Sequence, residues 1–138
     1  MTLIPTFILP KLQKVIKKRE ADITPIILKA LLRDDRFSSC AIEIKQCAGR
    51  TLGARALLPH QRNALLRASG LGMYHKISDV GRVLLPFDAF MLKGAGAWVV
   101  IYYRGVRPAE CWALDIAKMP LGALSLSLAR ELGLRVTL

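Results

Sequence analysis

The chain is poor in residues that staple or chelate: its 138 residues include 3 cysteines and 2 histidines. Cys40, Cys47 and Cys111 are odd in number and never spaced C-x-x-C, so they read as buried or half-buried thiols of a reducing compartment, not as a disulfide frame. His60 and His75 lack any partner at ligand-like spacing, and no zinc site is expected. Long apolar runs are missing too. The longest, residues 97–103 and 121–128, fall well short of the ~20 residues a membrane-spanning helix needs. Residues 1–10 are apolar but broken by Pro5 and Pro10, with the positive charges after them, the reverse of a secretory signal; the expected location is cytoplasmic. Repeats and low-complexity stretches are absent from the sequence.

Acid is the scarcest commodity relative to its counterpart. Ten Asp and Glu face twenty-one Lys and Arg, a formal net charge of +11. A polyanion such as DNA or RNA is the natural partner of that field, through phosphate attraction that carries no sequence information. The basic residues are spread along the chain, with no separate basic tail. Apolar residues make up 53% of the sequence, enough for one real core, and a single domain over residues 1–138 is expected.

Periodicity organises that domain. Residues 11–20 carry Leu12, Val15 and Ile16 at helical spacing opposite Lys14, Lys17 and Lys18, which predicts a short basic helix able to lie against phosphates. Thr24-Pro25 is a helix-start signature and predicts a helix over residues 25–33 that buries Ile26, Ile27, Ala30 and Leu31. Asp34, Asp35 and Arg36 form a polar turn. Residues 49–56 read as a basic, glycine-containing connection, first of all a plain surface loop, in which Arg50 and Arg55 with Gly53 could approach a phosphate backbone. Pro59 opens a second helix that ends at Gly70, with Leu65, Leu66 and Ala68 buried and Gln61 one turn before Leu65 on the same side. Strands are expected near 73–77, 87–92, 98–104 and 111–116, with hairpin-like turns between the last three. A final amphipathic helix spans 121–132 and closes at Gly133. The fold class is α/β or α+β, a central mixed sheet of about five strands flanked by helices.

The run Ala41-Ile42-Glu43-Ile44-Lys45-Gln46 is where chemistry enters. Side chains two residues apart leave a strand on one face, so Glu43 and Lys45 sit side by side while Ile42 and Ile44 point into a core. A carboxylate offers hard oxygen to Mg²⁺, and an adjacent ammonium steadies a water nucleophile or the charge that grows on a phosphate. A charge pair on a solvated sheet face gives the same pattern. Among the other acids, Asp88 stands in the apolar run Pro86-Phe87-Asp88-Ala89-Phe90, where a carboxylate is costly to bury without a partner. Asp79 suits a turn, and Glu20 ends the basic helix.

Taken in order, Glu20 to Pro25, Cys40 to Lys45, Pro59-His60-Gln61, His75 to Asp79 and Pro86 to Phe90 resemble the small Holliday junction resolvase-like nucleases of the PD-(D/E)XK superfamily, found in phages and bacteria. The likeness spans about residues 20–116. It implies a restriction-endonuclease-like fold in which Glu43 and Lys45 are the E-x-K pair, Asp88 the aspartate of the PD-like element, Gln61 the helix glutamine and Glu20 the acid of the first helix. It implies Mg²⁺, with Mn²⁺ as substitute, held by Glu43, Asp88 and Glu20. A homodimer acting on branched or four-way DNA in a bacterial or phage-infected cell follows, as does backbone binding by Lys14, Lys17, Lys18, Arg50, Arg55, Arg62 and Lys76. Two departures stand out. The aspartate element follows the E-x-K strand, the reverse of the usual order, and Leu85 occupies a place where related sequences tend to have lysine. A nucleic-acid-binding module that has lost catalysis on the same fold, or a basic protein of a ribonucleoprotein particle, would share the charge.

Overall fold

Strand β5 (Gly96–Tyr103) is buried on both faces, which is why its sequence is apolar throughout and does not alternate. In the computed structural model of the chain, residues 20–78 and 87–138 are described, apart from the side chains of Glu20 and Ala21. The central sheet is four-stranded in the order β1-β5-β6-β8, built from β1 (Cys40–Cys47), β5, β6 (Glu110–Asp115) and β8 (Leu134–Arg135). β1 runs parallel to β5, with Glu43 opposite Val99 and Lys45 opposite Ile101. β6 is antiparallel to both β5 and β8.

On one face of the sheet lies α1 (Glu20–Leu32). Its Ile23, Ile27, Ala30 and Leu31 pack with Ile44, Val100 and Ala113, a stripe at the i, i+4, i+7, i+8 spacing of an amphipathic helix. Phe37 meets Trp98 edge-on, with ring centroids 5.0 Å apart. The helix starts five residues before the expected Pro25, and Pro25 lies inside it. That proline forfeits one backbone hydrogen bond near the helix start. Burial of Ile23 and Ile27, roughly 1.5–3 kcal/mol each, outweighs the loss. The phase of the stripe shifts accordingly: Ile23 is buried, and Ile26, expected inside, is 42% exposed. The expected basic helix over residues 11–20, with Lys14, Lys17 and Lys18, lies outside the described residues but for its last position.

The opposite face is covered by α2 (Pro59–Ser69), a 3-10 turn (Ile116–Lys118) and α3 (Leu126–Leu132). Leu65 of α2 packs in the core with Val99, Ile101 and Leu114, and Ala68 is fully buried; Leu66, expected with them, is 46% exposed. The last helix is shorter than its periodicity suggests. Ser125 caps it by accepting from the Leu128 N–H at 3.1 Å, and Leu124-Ser125 forms β7, which pairs antiparallel with β2 (Thr51–Leu52). Leu124 is therefore buried from a strand, while Leu126 and Ala129 are the buried residues of the helix.

β3 (Met73–Lys76) and β4 (Ala89–Leu92) pair with each other as a separate antiparallel ribbon. The expected run of hairpins thus holds for β5 and β6 only. Residues 93–95 turn the chain from the ribbon into the central sheet, held by Gly94 and Ala95 N–H groups on the Gly70 and Ala68 carbonyls at 3.2 and 3.1 Å. Among the described residues no helix is long and apolar enough to cross a membrane.

Candidate functional site

Glu43 and Lys45 leave β1 on the side covered by α2, because Ala41 and Cys47, in phase with them, pack into that layer while Ile42 and Ile44 pack toward α1. Both charged residues stand over an apolar neighbourhood, their register partners Val99 and Ile101 being fully buried. Lys45 Nζ lies 3.2 Å from Glu43 Oε1, with side-chain exposures of 14% and 28%. The lysine stem is sheltered and its ammonium reaches the carboxylate at the rim.

Gln61 completes the group. Its Oε1 accepts from the Leu58 backbone N–H at 3.0 Å, satisfying an orphan donor at the start of α2. With the oxygen committed there, the amide nitrogen faces β1 and donates to Glu43 Oε1 at 3.1 Å. Two donors, from a strand and a helix, therefore meet on one carboxylate oxygen. Oε2 of Glu43 accepts no hydrogen bond from the described residues.

The cluster opens onto a cleft of about 500 Å³ between β1, α2 and the ribbon. Glu43 and Gln61 give it a polar end; Leu65, Met73, Phe90 and Leu92 give it apolar walls. His75 and Phe90, directly opposite each other on β3 and β4, stack with ring centroids 5.3 Å apart and 29° between planes, and both line the cleft. His60, from the first turn of α2, lines it as well. Sequence reasoning assigned these rings no role. Their signal is the aligned pair of short strands, which only the pairing register makes visible.

Of the other predicted acids, the described one, Asp88, is not gathered here. Asp88 is exposed at the entry to β4; its carbonyl accepts from the Ile77 N–H at 2.8 Å, and it does not line the cleft. The strand it leads into belongs to the ribbon and does not flank β1. Glu20 is the first residue of α1, and its side chain lies outside the described residues, as do Asp79, Leu85 and Pro86. Among the described residues no group of three or more His, Cys, Asp and Glu could hold a metal ion.

Of the basic residues expected on phosphates, Arg50, Arg55 and Lys76 are exposed. Arg62 is half-buried. Its guanidinium donates to the Met119 and Pro120 carbonyls at 3.1 and 2.8 Å, tying α2 to the chain after the 3-10 turn. A second ionic group, Glu110 with Arg130, Arg135 and Trp112, joins β6 to α3 and β8 on another part of the sheet. The thiols are free, and burial pushes those of Cys40 and Cys111 up, the latter to about 12, so neither is a ready nucleophile.

No family model, no curated protein and no solved structure matches the chain. The fold is a mixed α/β arrangement with a central sheet flanked by helices, and the geometry of the Glu43 cluster carries the functional reading.

Proposed function

We propose that the chain is a divalent-metal-dependent endonuclease acting on branched DNA, with a restriction-endonuclease-like core of the PD-(D/E)XK type, similar to the Holliday junction resolvases. The observation that carries this reading is the convergence of Lys45 Nζ and Gln61 Nε2 on Glu43 Oε1, at 3.2 and 3.1 Å, beside an open cleft. The formal charge of +11 supports a nucleic-acid substrate.

The donor set suits Mg²⁺. That ion is ordinarily held by one or two carboxylates together with phosphate oxygens and water, so a cleft with a single described carboxylate fits an ion whose shell the nucleic acid completes. Glu43 would hold it; the resemblance adds Asp88, which does not line the cleft, and Glu20, whose side chain lies outside the described residues. When bound, Mg²⁺ or Mn²⁺ polarises the phosphate and lowers the pKa of water.

The chain's own residues do the rest. Lys45 orients the attacking water and stabilises charge on the phosphorus centre, and Gln61 keeps Glu43 and Lys45 in register. Water adds to phosphorus and the bond to the 3′ oxygen breaks, leaving a 5′-phosphate and a 3′-hydroxyl. Arg50, Arg55 and Lys76, with Lys14, Lys17 and Lys18, bind backbone without reading bases. Paired cuts across a four-way junction need two sites, hence a homodimer.

The test is a panel of four-way, flap, linear and single-stranded DNA with and without Mg²⁺ or Mn²⁺. The expected outcome is metal-dependent nicking of branched DNA, reduced about 100-fold or more by Glu43→Gln, Lys45→Ala or Asp88→Asn, with binding retained. Cutting at the wild-type rate by all three variants overturns the site. A second reading, a binding module without catalysis, is favoured by one observation: Asp88 does not line the cleft that holds Glu43. Binding without cutting in every arm of the panel selects it.

A further inference from the structure

The cleft beside Glu43 extends past the charged cluster into an apolar region. At about 500 Å³ it falls within the range of small-molecule sites, roughly 300–1,000 Å³, and most of its lining is apolar. Glu43, ion-paired with Lys45, and Gln61 form its polar end; the slot beyond them, with Leu65, Met73, Phe90 and Leu92, suits an apolar-faced occupant. His75 and Phe90 already supply a two-ring wall at 29° to each other, and both are exposed, Phe90 by 42%. Gln61 and Glu43 stand at the polar end, where the edge of such an occupant would lie.

From this juxtaposition we propose that the cleft holds one unpaired nucleobase, stacked on the His75–Phe90 pair, next to the phosphodiester presented to Glu43 and Lys45. The inference rests on the nucleic-acid reading of this site, though not on cleavage. Base faces are covered in a duplex by their neighbours and base edges by their partners, so only a base already out of the stack can enter. Aromatic platforms of this kind accept any base, since every base has a π face. The net charge of +11 brings the backbone to the surface. The ribbon then selects a strand discontinuity, because perfect duplex leaves the slot unfilled. Flaps, gaps and junctions with an unpaired nucleotide at the branch are preferred for one shared reason, the free base that each offers.

The experiment uses the full chain in EDTA, so that binding is read apart from cutting. A fully paired DNA junction is compared with the same junction carrying a single unpaired 2-aminopurine at the branch, by fluorescence anisotropy and by the emission of the base analogue. The expected result is affinity on the order of tenfold higher for the unpaired form, with emission changed on binding. Phe90→Ala and His75→Ala each remove both effects and leave affinity for the paired junction unchanged, while Phe90→Trp keeps them. Equal affinity for the two junctions, or an undiminished preference in both alanine variants, overturns the proposal. So does loss of self-association in Phe90→Ala without loss of base preference, which would assign the cleft to a second copy of the chain. A parallel assay with Mg²⁺ separates the two claims: cutting of the paired junction at the wild-type rate by Phe90→Ala, with no base preference in the wild type, leaves the nuclease standing and this inference fallen. Absence of binding to any DNA takes down both.

Discussion

Gln61 shows how one residue can serve stability and chemistry together. Its amide has a fixed sense, because the oxygen is held by the Leu58 N–H and the nitrogen by Glu43. Gln61→Ala removes both bonds and is expected to cost roughly 1 kcal/mol through the lost cap and the lost donor. Gln61→Glu keeps an acceptor for Leu58 but turns a carboxylate toward Glu43. One of the two acids then binds its proton more tightly folded than unfolded, so the destabilisation is full at neutral pH and fades as the pH falls below ~5. Urea midpoints across that range check this, and a deficit independent of pH would refute the assigned amide orientation. That Glu43 and Lys45 share a strand face and that Gln61 points inward from its helix was legible in the sequence; that this helix covers that face was decided by the fold. The two bonds of Arg62 to the Met119 and Pro120 carbonyls were not legible, because nothing local in the sequence records a contact across the fold.

Among the elements, the turn between β5 and β6 is the most constrained by contact. A Cβ on Gly105 would lie 2.3 Å from the Ala48 carbonyl oxygen and 2.8 Å from the Gly49 Cα, both backbone atoms that cannot rotate away. Gly122, by contrast, has nothing within 4 Å. Gly105→Ala is therefore expected to lower stability by about 1–3 kcal/mol, with Gly122→Ala within about 0.5 kcal/mol of wild type, as read by thermal unfolding. Equal melting temperatures for the two would contradict the packing of this turn on the end of β1. Element types were largely predictable, and α2 opens at the expected Pro59. Boundaries failed where tertiary contacts outbid local signals. α1 extends past Pro25 because Ile23 finds a pocket, and α3 starts late because Ser125 caps it and Leu124 pairs with Leu52.

For the molecule as a whole, the ionic group around Glu110 links three elements. Glu110 is buried, and the hydrogen bonds from Arg130 hold its carboxyl down at about 2 against an ordinary 4.5, with Trp112 and the charge of Arg135 acting the same way and burial opposing them. An acid held lower in the fold than in the unfolded chain stabilises fully above pH 4.5, and that contribution is lost as the pH falls toward about 2. Glu110→Gln is expected to lower the urea midpoint at pH 7 and to flatten its decline across that acid window. A variant whose acid limb matches wild type would show that Glu110 does not drive it. This group lies apart from the Glu43 cleft, so DNA binding by the variant at neutral pH should follow wild type while it remains folded.

Composition, charge and the two backbone periods came from the chain by itself: an apolar core, a basic surface, and Glu43 beside Lys45 on one strand face. Tertiary pairing decided what surrounds them. β1 lies parallel to β5, a strand far along the chain, and β4 joins β3 in a ribbon of its own, so Asp88 enters beside the ribbon while His75 and Phe90 are set against each other as a wall of the cleft. The physical reason is that periodicity fixes only which way a side chain faces. Which strands become neighbours depends on burying apolar faces between segments distant in sequence, and no local pattern records that choice.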